Sequence, residues 1–397
     1  MSLQSQIDAI DYPPTHQYDL ETMQPKGMLQ VRLDRMPNHF FLGRSFLDIG
    51  CNKGFFSLLA KQRHCNYVEG FDYDEKCVTL CKNLGLNVNK DTFRDYVPTK
   101  QFDRIMLGNV MHYMYRECGD WTFIIKLAAI SNGLVLIEAP TGMDCKAMKP
   151  VFETKELRKG FNEKLFFEKM AQFFILKSKT ESPSNNRWIM LFERKPVSCL
   201  DYNFDELKEI KSSVESRVCK SKDRIIKIQE NHTVKDFIKT FIASYSPISN
   251  GVLEWIYHKG EYVGWSELKV NQKTLRHGTR QDEVFKQLIK HNIYLAKQGL
   301  TEMDMGISNF FEDLIMYDKG GVWFIKDLEK AGIEDIDKGY FFSMFKNSFK
   351  NYIVNYEKIH QALNTRDSNV IEVMYDELIV TEKKKSFFDL FRRTTVG

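Results

Sequence analysis

In this 397-residue chain, the run Asp48-Ile49-Gly50-Cys51-Asn52-Lys53-Gly54 has the types and spacing for ligand chemistry. It closes an apolar stretch and opens a helical one. Glycine at 50 and 54 lets the backbone turn sharply and come close to a ligand that a Cβ would obstruct. The spacing is neither G-x-G-x-x-G nor G-x-x-x-x-G-K-[ST], so pyrophosphate is not the first ligand to expect. At the carboxyl end of a strand, Asp48 can accept a hydrogen bond from a cationic amino group or from water held by one. Asp72 ends the next apolar run, about two dozen residues on. A carboxylate there can take both hydroxyls of a ribose, or it can cap the helix that begins near Asp74. Asp91 reads either as the partner of an adenine amino group or as an exposed turn residue. His112 follows the apolar run 102–108. A neutral imidazole there can remove a proton from an acceptor hydroxyl, or it can pack at a helix start.

These residues need an alternating α/β scaffold. Apolar runs at 46–49, 67–72, 102–108 and 133–140, with a short third strand at 88–91 and a further strand at 173–178, alternate with helical patterns, and 188–193 supplies a last strand. The expectation is a seven-stranded sheet whose last strand is antiparallel. Ligands then sit beyond the strand carboxyl ends, where Glu138 also falls. Ahead of the sheet, Met28, Leu29, Val31, Leu33 and Met36 predict one helix over 27–41, and the polar, proline-bearing residues before it predict an arm.

The formal net charge is +4, from 57 Lys and Arg against 53 Asp and Glu, so no polyanion-binding tail dominates and nucleic acid is neither demanded nor excluded. The eight cysteines lack paired C-x-x-C knuckles, which points to reduced thiols in the cytoplasm. No apolar run approaches the ~20 residues that span a bilayer.

Beyond Pro196 the composition shifts toward Lys, Ile and Phe. Lys227 lies in a predicted strand. Asp304 and Asn309 stand five apart, as in the kinase loop D-x-x-x-x-N, and Asp327 is expected to follow a strand as the metal-binding Asp of D-F-G does. Lysine, catalytic aspartate, asparagine and second aspartate in that order suit Mg-ATP, with Asn309 and Asp327 on the metal. Glu302 stands where the kinase loop has His, Asp327-Leu328-Glu329 replaces D-F-G, and no Gly-rich loop precedes Lys227. Two readings stay open: a divergent small-molecule or glycan kinase, or a kinase-shaped unit that only binds.

Asp48/Gly50/Gly54, Asp72, the 102–112 segment and the strand with Glu138 resemble class I S-adenosylmethionine-dependent methyltransferases. With Arg32-Leu33-Asp34, Gly54-Phe55-Phe56-Ser57, Val110, His112 and Lys297-Gln298-Gly299, the chain resembles the bifunctional methyltransferase–kinases that terminate bacterial O-antigen polysaccharides. The resemblance implies a Rossmann-like seven-stranded methyltransferase sheet followed by a smaller α+β kinase-like domain. The expected divisions are an arm at 1–27, a methyltransferase domain at 28–196, a kinase-like domain at 204–380 and a basic aromatic tail at 381–397. It implies S-adenosylmethionine at Asp48, Gly50, Gly54, Asp72 and Asp91, His112 as base, ATP with Mg²⁺ in the second domain, and a glycan or phosphorylated sugar as acceptor. A silent scaffold and a methyltransferase of RNA or small metabolites are the rival expectations. In the tail, Phe387, Leu390 and Phe391 share a helical face beside basic side chains, a pattern suited to docking on anionic lipid or a partner, or to closing the second core.

Overall fold

The computed structural model describes residues 2–10, 18–140, 152, 154–182, 187–197, 199–201, 208–212, 216–221, 224–229, 233–247, 253–258, 261–268, 281–302, 321–331, 361–362 and 365–376. The chain divides into two compact units, Met1–Pro196 and Val197–Gly397.

The first unit opens with α1 (Leu3–Ala9), α2 (Met28–Leu33) and a 3₁₀ turn at Asn38–Phe41. The alternating run follows: β1 (Ser45–Ile49), α3 (Phe55–Gln62), β2 (Tyr67–Asp72), α4 (Glu75–Asn83), β3 (Asn87–Lys90), β4 (Phe102–Gly108), α5 (Met111–Cys118), α6 (Phe123–Ile130) and β5 (Ser131–Pro140). The unit closes with α7 (Lys155–Gly160), α8 (Glu163–Phe173), β6 (Phe174–Ser182) and β7 (Arg187–Arg194). The strand order is β3-β2-β1-β4-β5-β7-β6; β1 to β5 are parallel and β7 is antiparallel to both neighbours. This is the expected Rossmann-like seven-stranded sheet. Its central strands read as continuous apolar runs because both faces are covered: Ile105, Met106, Leu107, Val135, Leu136 and Ile137 are all fully buried. After β1 the chain turns toward β2, whereas β4 lies on the other side of β1, so the order reverses there and opens a crevice.

Two expectations about the leading segment need correction. The single helix over 27–41 is cut after Leu33, because Pro37 is extended (φ −64°, ψ 123°) and disfavours a helical Met36; the chain resumes as the 3₁₀ turn that buries Phe40 and Phe41. The arm is not detached either. Ile7 and Tyr18 are fully buried and join the core formed by Leu29, Phe40, Phe46 and Phe55.

In the second unit, β8 (Cys199–Asp201), β9 (Lys208–Ser212), β10 (Ser216–Ser221), β11 (Arg224–Gln229), α9 (Val234–Ser244), β12 (Leu253–His258) and β13 (Glu261–Leu268) build a sheet in the order β8-β12-β13-β11-β10-β9. It is antiparallel throughout except for the parallel β12–β8 edge. A capping box between Thr233 and Asp236 starts α9. After α10 (Gln281–Ala296), β14 (Leu300–Glu302) pairs antiparallel with β15 (Val322–Phe324), and α11 (Ile325–Lys330) follows at once. The unit is α+β, as expected, but the strand predicted over 322–327 becomes helical at Ile325. Among the described residues, no helix is long and apolar enough to cross a membrane.

Gly133 exposes how tightly β5 enters the sheet: a Cβ there would lie 2.3 Å from the Asp103 carbonyl oxygen, which is backbone and cannot swing aside. Gly133→Ala is therefore expected to cost about 1–3 kcal/mol, the usual cost of overpacking, read as a lower urea midpoint at unchanged m-value.

Candidate functional site

The turn between β1 and α3 has three residues of positive φ in five: Gly50 (+68°), Asn52 (+49°) and Gly54 (+78°). Glycine is required at 50 because a Cβ would fall 2.3 Å from Val110 Cγ1, where the loop after β4 crosses the crevice. At 54 a Cβ would meet Leu86 Cδ1 at 2.7 Å and Cys81 Sγ at 2.9 Å. The turn is sewn to the end of β2. Gly50 N–H and Cys51 N–H donate to the Phe71 carbonyl at 2.9 and 3.1 Å, and Asn52 N–H donates to Asp72 Oδ2 at 2.8 Å.

Above this turn lies a cavity of about 690 Å³, within the range of small-molecule sites. Gly50, Asp72 and Asp91 line it, so three of the sequence-predicted residues meet at one place. Asp72 Oδ1 accepts Asp74 N–H at 2.9 Å. A carboxylate offers about four acceptor positions, so two backbone donors leave capacity for two ligand hydroxyls. Burial raises the Asp72 pKa, and the backbone N–H groups of Asp74 and Asn52 oppose the shift by favouring the charged form. Asp72 does not cap the next helix; Asp74 does, accepting Lys76 N–H at 2.8 Å. Asp91 accepts Thr92 N–H at 2.9 Å, and its own N–H donates to the Asp72 carbonyl, which seats it beside Asp72.

Three predicted residues stand behind the cavity wall instead of on it. Asp48 is buried and its Oδ2 accepts the Ser57 hydroxyl at 2.7 Å, so its carboxylate braces α3 against β1 where a direct ligand contact was expected. Gly54 serves packing against α4. His112 is 4% exposed and its Nδ1 has no hydrogen-bond partner among the described residues. Burial, then the charges of Arg187 and Arg116, push its pKa down to about 4, so the imidazole is neutral at physiological pH.

The sequence reading assigned no site role to the residues at the other end of the cavity. Arg32 of α2 and Glu138 at the end of β5 form a fully buried ion pair, and Arg187 Nη1 approaches Glu138 Oε1 at 3.9 Å. Arg187, Arg116, Glu117 and Tyr113 line the cavity with Met28. The cavity is thus acidic where β2 and β3 end and carries two arginines where α5 meets β7. The one signal available in sequence was an arginine inside the apolar pattern of α2, with Glu138 at a strand mouth.

In the second unit, Lys227 sits on β11, paired in register with Val218 and Trp265, in the third of three successive antiparallel strands and directly before α9. Asp304 and Asn309 lie outside the described residues. Asp327 falls in the first turn of α11, not at a strand end, and Lys235 of α9 pairs with it at 2.5 Å. Glu302, in the kinase histidine's place, is fully buried 3.7 Å from His291 Nε2, and His291 Nδ1 shares a 2.7 Å hydrogen bond with Ser246 Oγ.

Burial, partly offset by the Ser57 hydrogen bond, pushes the Asp48 carboxyl up to about 7 from an ordinary 3.8. The folded chain thus keeps a proton that the unfolded chain releases, and stability falls as pH rises from about 4 to about 7. Asp48→Asn has no such proton to lose. In urea titrations its stability relative to the native protein should rise across that window; a pH-independent difference would mean that Asp48 does not titrate there.

Neither a protein-family model nor a curated protein matches the sequence. Solved structures similar to the chain include the bifunctional kinase-methyltransferase WbdD, at 13% identity over 95% of this chain and 94% of that one, with a TM-score of 0.33. A putative S-adenosylmethionine-dependent methyltransferase from Listeria monocytogenes is similar at 12% identity over 43% of this chain and 98% of its own, with a TM-score of 0.35. The N-methyltransferase NodS from Bradyrhizobium japonicum WM9, in complex with S-adenosyl-L-homocysteine, is similar at 12% identity over 49% of this chain and 97% of that one, with a TM-score of 0.34.

Proposed function

We propose that the first unit is an S-adenosylmethionine-dependent O-methyltransferase acting on a glycan or phosphorylated sugar, and that the second is a kinase-like unit for Mg-ATP that phosphorylates the same acceptor. The observation that carries the methyltransferase reading is the Asp72 carboxylate at the switch-point cavity, held by two backbone N–H groups with acceptor capacity left for a ribose diol. The residues fit the cofactor. Gly50 opens the wall where the backbone must approach, Asp72 takes the ribose, and Asp91 meets the adenine side.

When bound, the cofactor supplies an electrophilic methyl on sulfur, which passes in line to an acceptor oxygen. The chain's part is to align that oxygen and to exclude water, the terms that account for most of the rate in such transfers. Arg116 and Arg187 face the same cavity and favour an acceptor carrying a negative group, which supports the phosphorylated sugar. As the proposed base, neutral His112 has to reach an acceptor hydroxyl from behind the cavity wall, so taking that proton requires α5 to turn its imidazole inward. A pKa near 4 makes this imidazole a weak base, so an acceptor oxygen that is already anionic suits the site better.

For the second unit, Lys227 on the third strand is the supporting observation. Asp304 is the proposed base, and Asn309 and Asp327 are the proposed metal ligands; engaging Mg²⁺ requires Asp327 to exchange its Lys235 partner for the ion. Docking through the 381–397 tail is retained as a proposal, on residues outside those described.

Calorimetry with S-adenosyl-L-homocysteine and with Mg-ATP tests both halves: the full proposal requires both to bind, a protein that binds only the first loses the kinase half, and one that binds neither is a scaffold. Asp72→Ala should weaken S-adenosyl-L-homocysteine by about 1.5–3 kcal/mol, the worth of hydrogen bonds to a charged group. His112→Ala should lower turnover about 100-fold on a hydroxyl acceptor with cofactor affinity intact. Normal turnover would return His112 to packing.

A further inference from the structure

The turn that cradles the proposed cofactor is conformationally expensive. Asn52 holds a left-handed backbone without being glycine, and such residues persist only where surrounding contacts over-determine them. Two of those contacts come from the neighbouring β2 and α4: the Asp72 carboxylate takes the Asn52 N–H, and the Cys81 thiol donates to the Asn52 carbonyl at 3.2 Å. The third comes from far away. The Tyr18 hydroxyl donates to the Lys53 carbonyl at 2.7 Å, across 35 residues of sequence.

Tyr18 is held independently of that bond. It is fully buried, its ring lies tilted on Phe55 with centroids 5.2 Å apart, and its backbone bridges to Pro25. Gln4 of α1 donates to the Tyr18 carbonyl at 3.2 Å and accepts Leu20 N–H at 2.9 Å. Burial raises the phenol's pKa, so the group remains a donor across the physiological range. The ring fills the core, and the hydroxyl is an addition whose partner is the peptide between Asn52, on the cavity wall, and Gly54, the N-cap of α3.

We propose that Tyr18 is a positioning residue for cofactor binding: through its hydroxyl, the N-terminal segment clamps the 50–54 turn in the conformation that receives the cofactor. The inference rests on the methyltransferase reading above. Without the hydroxyl, the Lys53 carbonyl is left buried with one bond fewer and the turn samples conformers that do not bind. Part of the binding energy then goes to restoring the turn.

The test is Tyr18→Phe in the full chain, titrated calorimetrically with S-adenosyl-L-homocysteine, with amide hydrogen exchange of residues 52–54 followed in parallel. The dissociation constant should rise about 3- to 10-fold, the worth of one net hydrogen bond, exchange at 52–54 should accelerate, and saturating ligand should restore protection. Unchanged affinity would overturn the proposal. So would an affinity loss accompanied by uniformly faster exchange over the whole unit, because that marks a merely structural role. Should Y18F not fold, Gln4→Ala removes two bonds that seat the Tyr18 segment while keeping the phenol; it should move affinity in the same direction by less, and no movement overturns the clamp. A native protein that fails to bind S-adenosyl-L-homocysteine would remove the methyltransferase reading itself, an outcome distinct from a native protein that binds and a variant that binds equally well.

Discussion

The buried ion pair between Arg32 and Glu138 is the interaction on which the rest of the first unit turns. Both side chains are essentially without solvent access, so each would carry a large desolvation cost alone. Their pairing pins α2 across the end of β5 and thereby brings Met28 to the cavity wall. It also places a carboxylate where Arg187 can approach from β7. The Arg32 guanidinium lies 5.7 Å from the centroid of the Phe56 ring, which extends the contact into the face of α3. Removing either partner would leave a charge buried without compensation, which such sites do not tolerate. The pair therefore sets where the leading segment sits, and the cavity forms against it.

The geometry divides labour between charge and shape. Acids at the ends of β2 and β3 suit a ligand rich in donors, arginines at the far end suit an anion, and the glycine turn between them supplies closeness instead of charge. Asp48 illustrates how a motif residue can matter without touching ligand. It fixes Ser57, hence the first turn of α3, hence the backbone that follows Gly54. In the second unit, the polar set Ser246, His291 and Glu302 ties the segment after α9 to α10 and to the strand that leads into residue 304.

Much of the first unit was legible because its signals are local. Alternation of apolar runs with helical patterns, a glycine turn at a strand end, and acids at successive strand ends each depend on a few adjacent residues. That is why the seven-stranded sheet, its antiparallel last strand and the cavity positions of Gly50, Asp72 and Asp91 could be anticipated. What could not be read depends on contacts distant in sequence. Whether Asp48 and His112 face the cavity or its back wall is decided by the rotation of one strand and one short helix. The break after Leu33 was signalled by Pro37 but masked by the apolar pattern on either side. The burial of Ile7 and Tyr18 was hidden because isolated apolar residues in a polar stretch carry no period. In the second unit β9 and β10 are short and broken up by basic residues, and the turn from strand to helix at Ile325 gave no breaker to mark it.

The reversed direction of β7 has a consequence for how the site comes into being. Parallel strands all present their carboxyl ends to the crevice, so residues 49 to 110 bring Gly50, Asp72 and Asp91 together from neighbouring stretches of chain. An antiparallel strand presents its amino end instead, and Arg187 begins β7 after the chain has left β5 at Pro140 and made a long excursion. The acidic half of the cavity is therefore made of contacts of low sequence separation, and the position of Arg187 waits for a closure of high separation. During synthesis the end of the cavity that holds Gly50, Asp72 and Asp91 can take shape while Arg187 does not yet exist, so the acidic end precedes the closing of the arginine end.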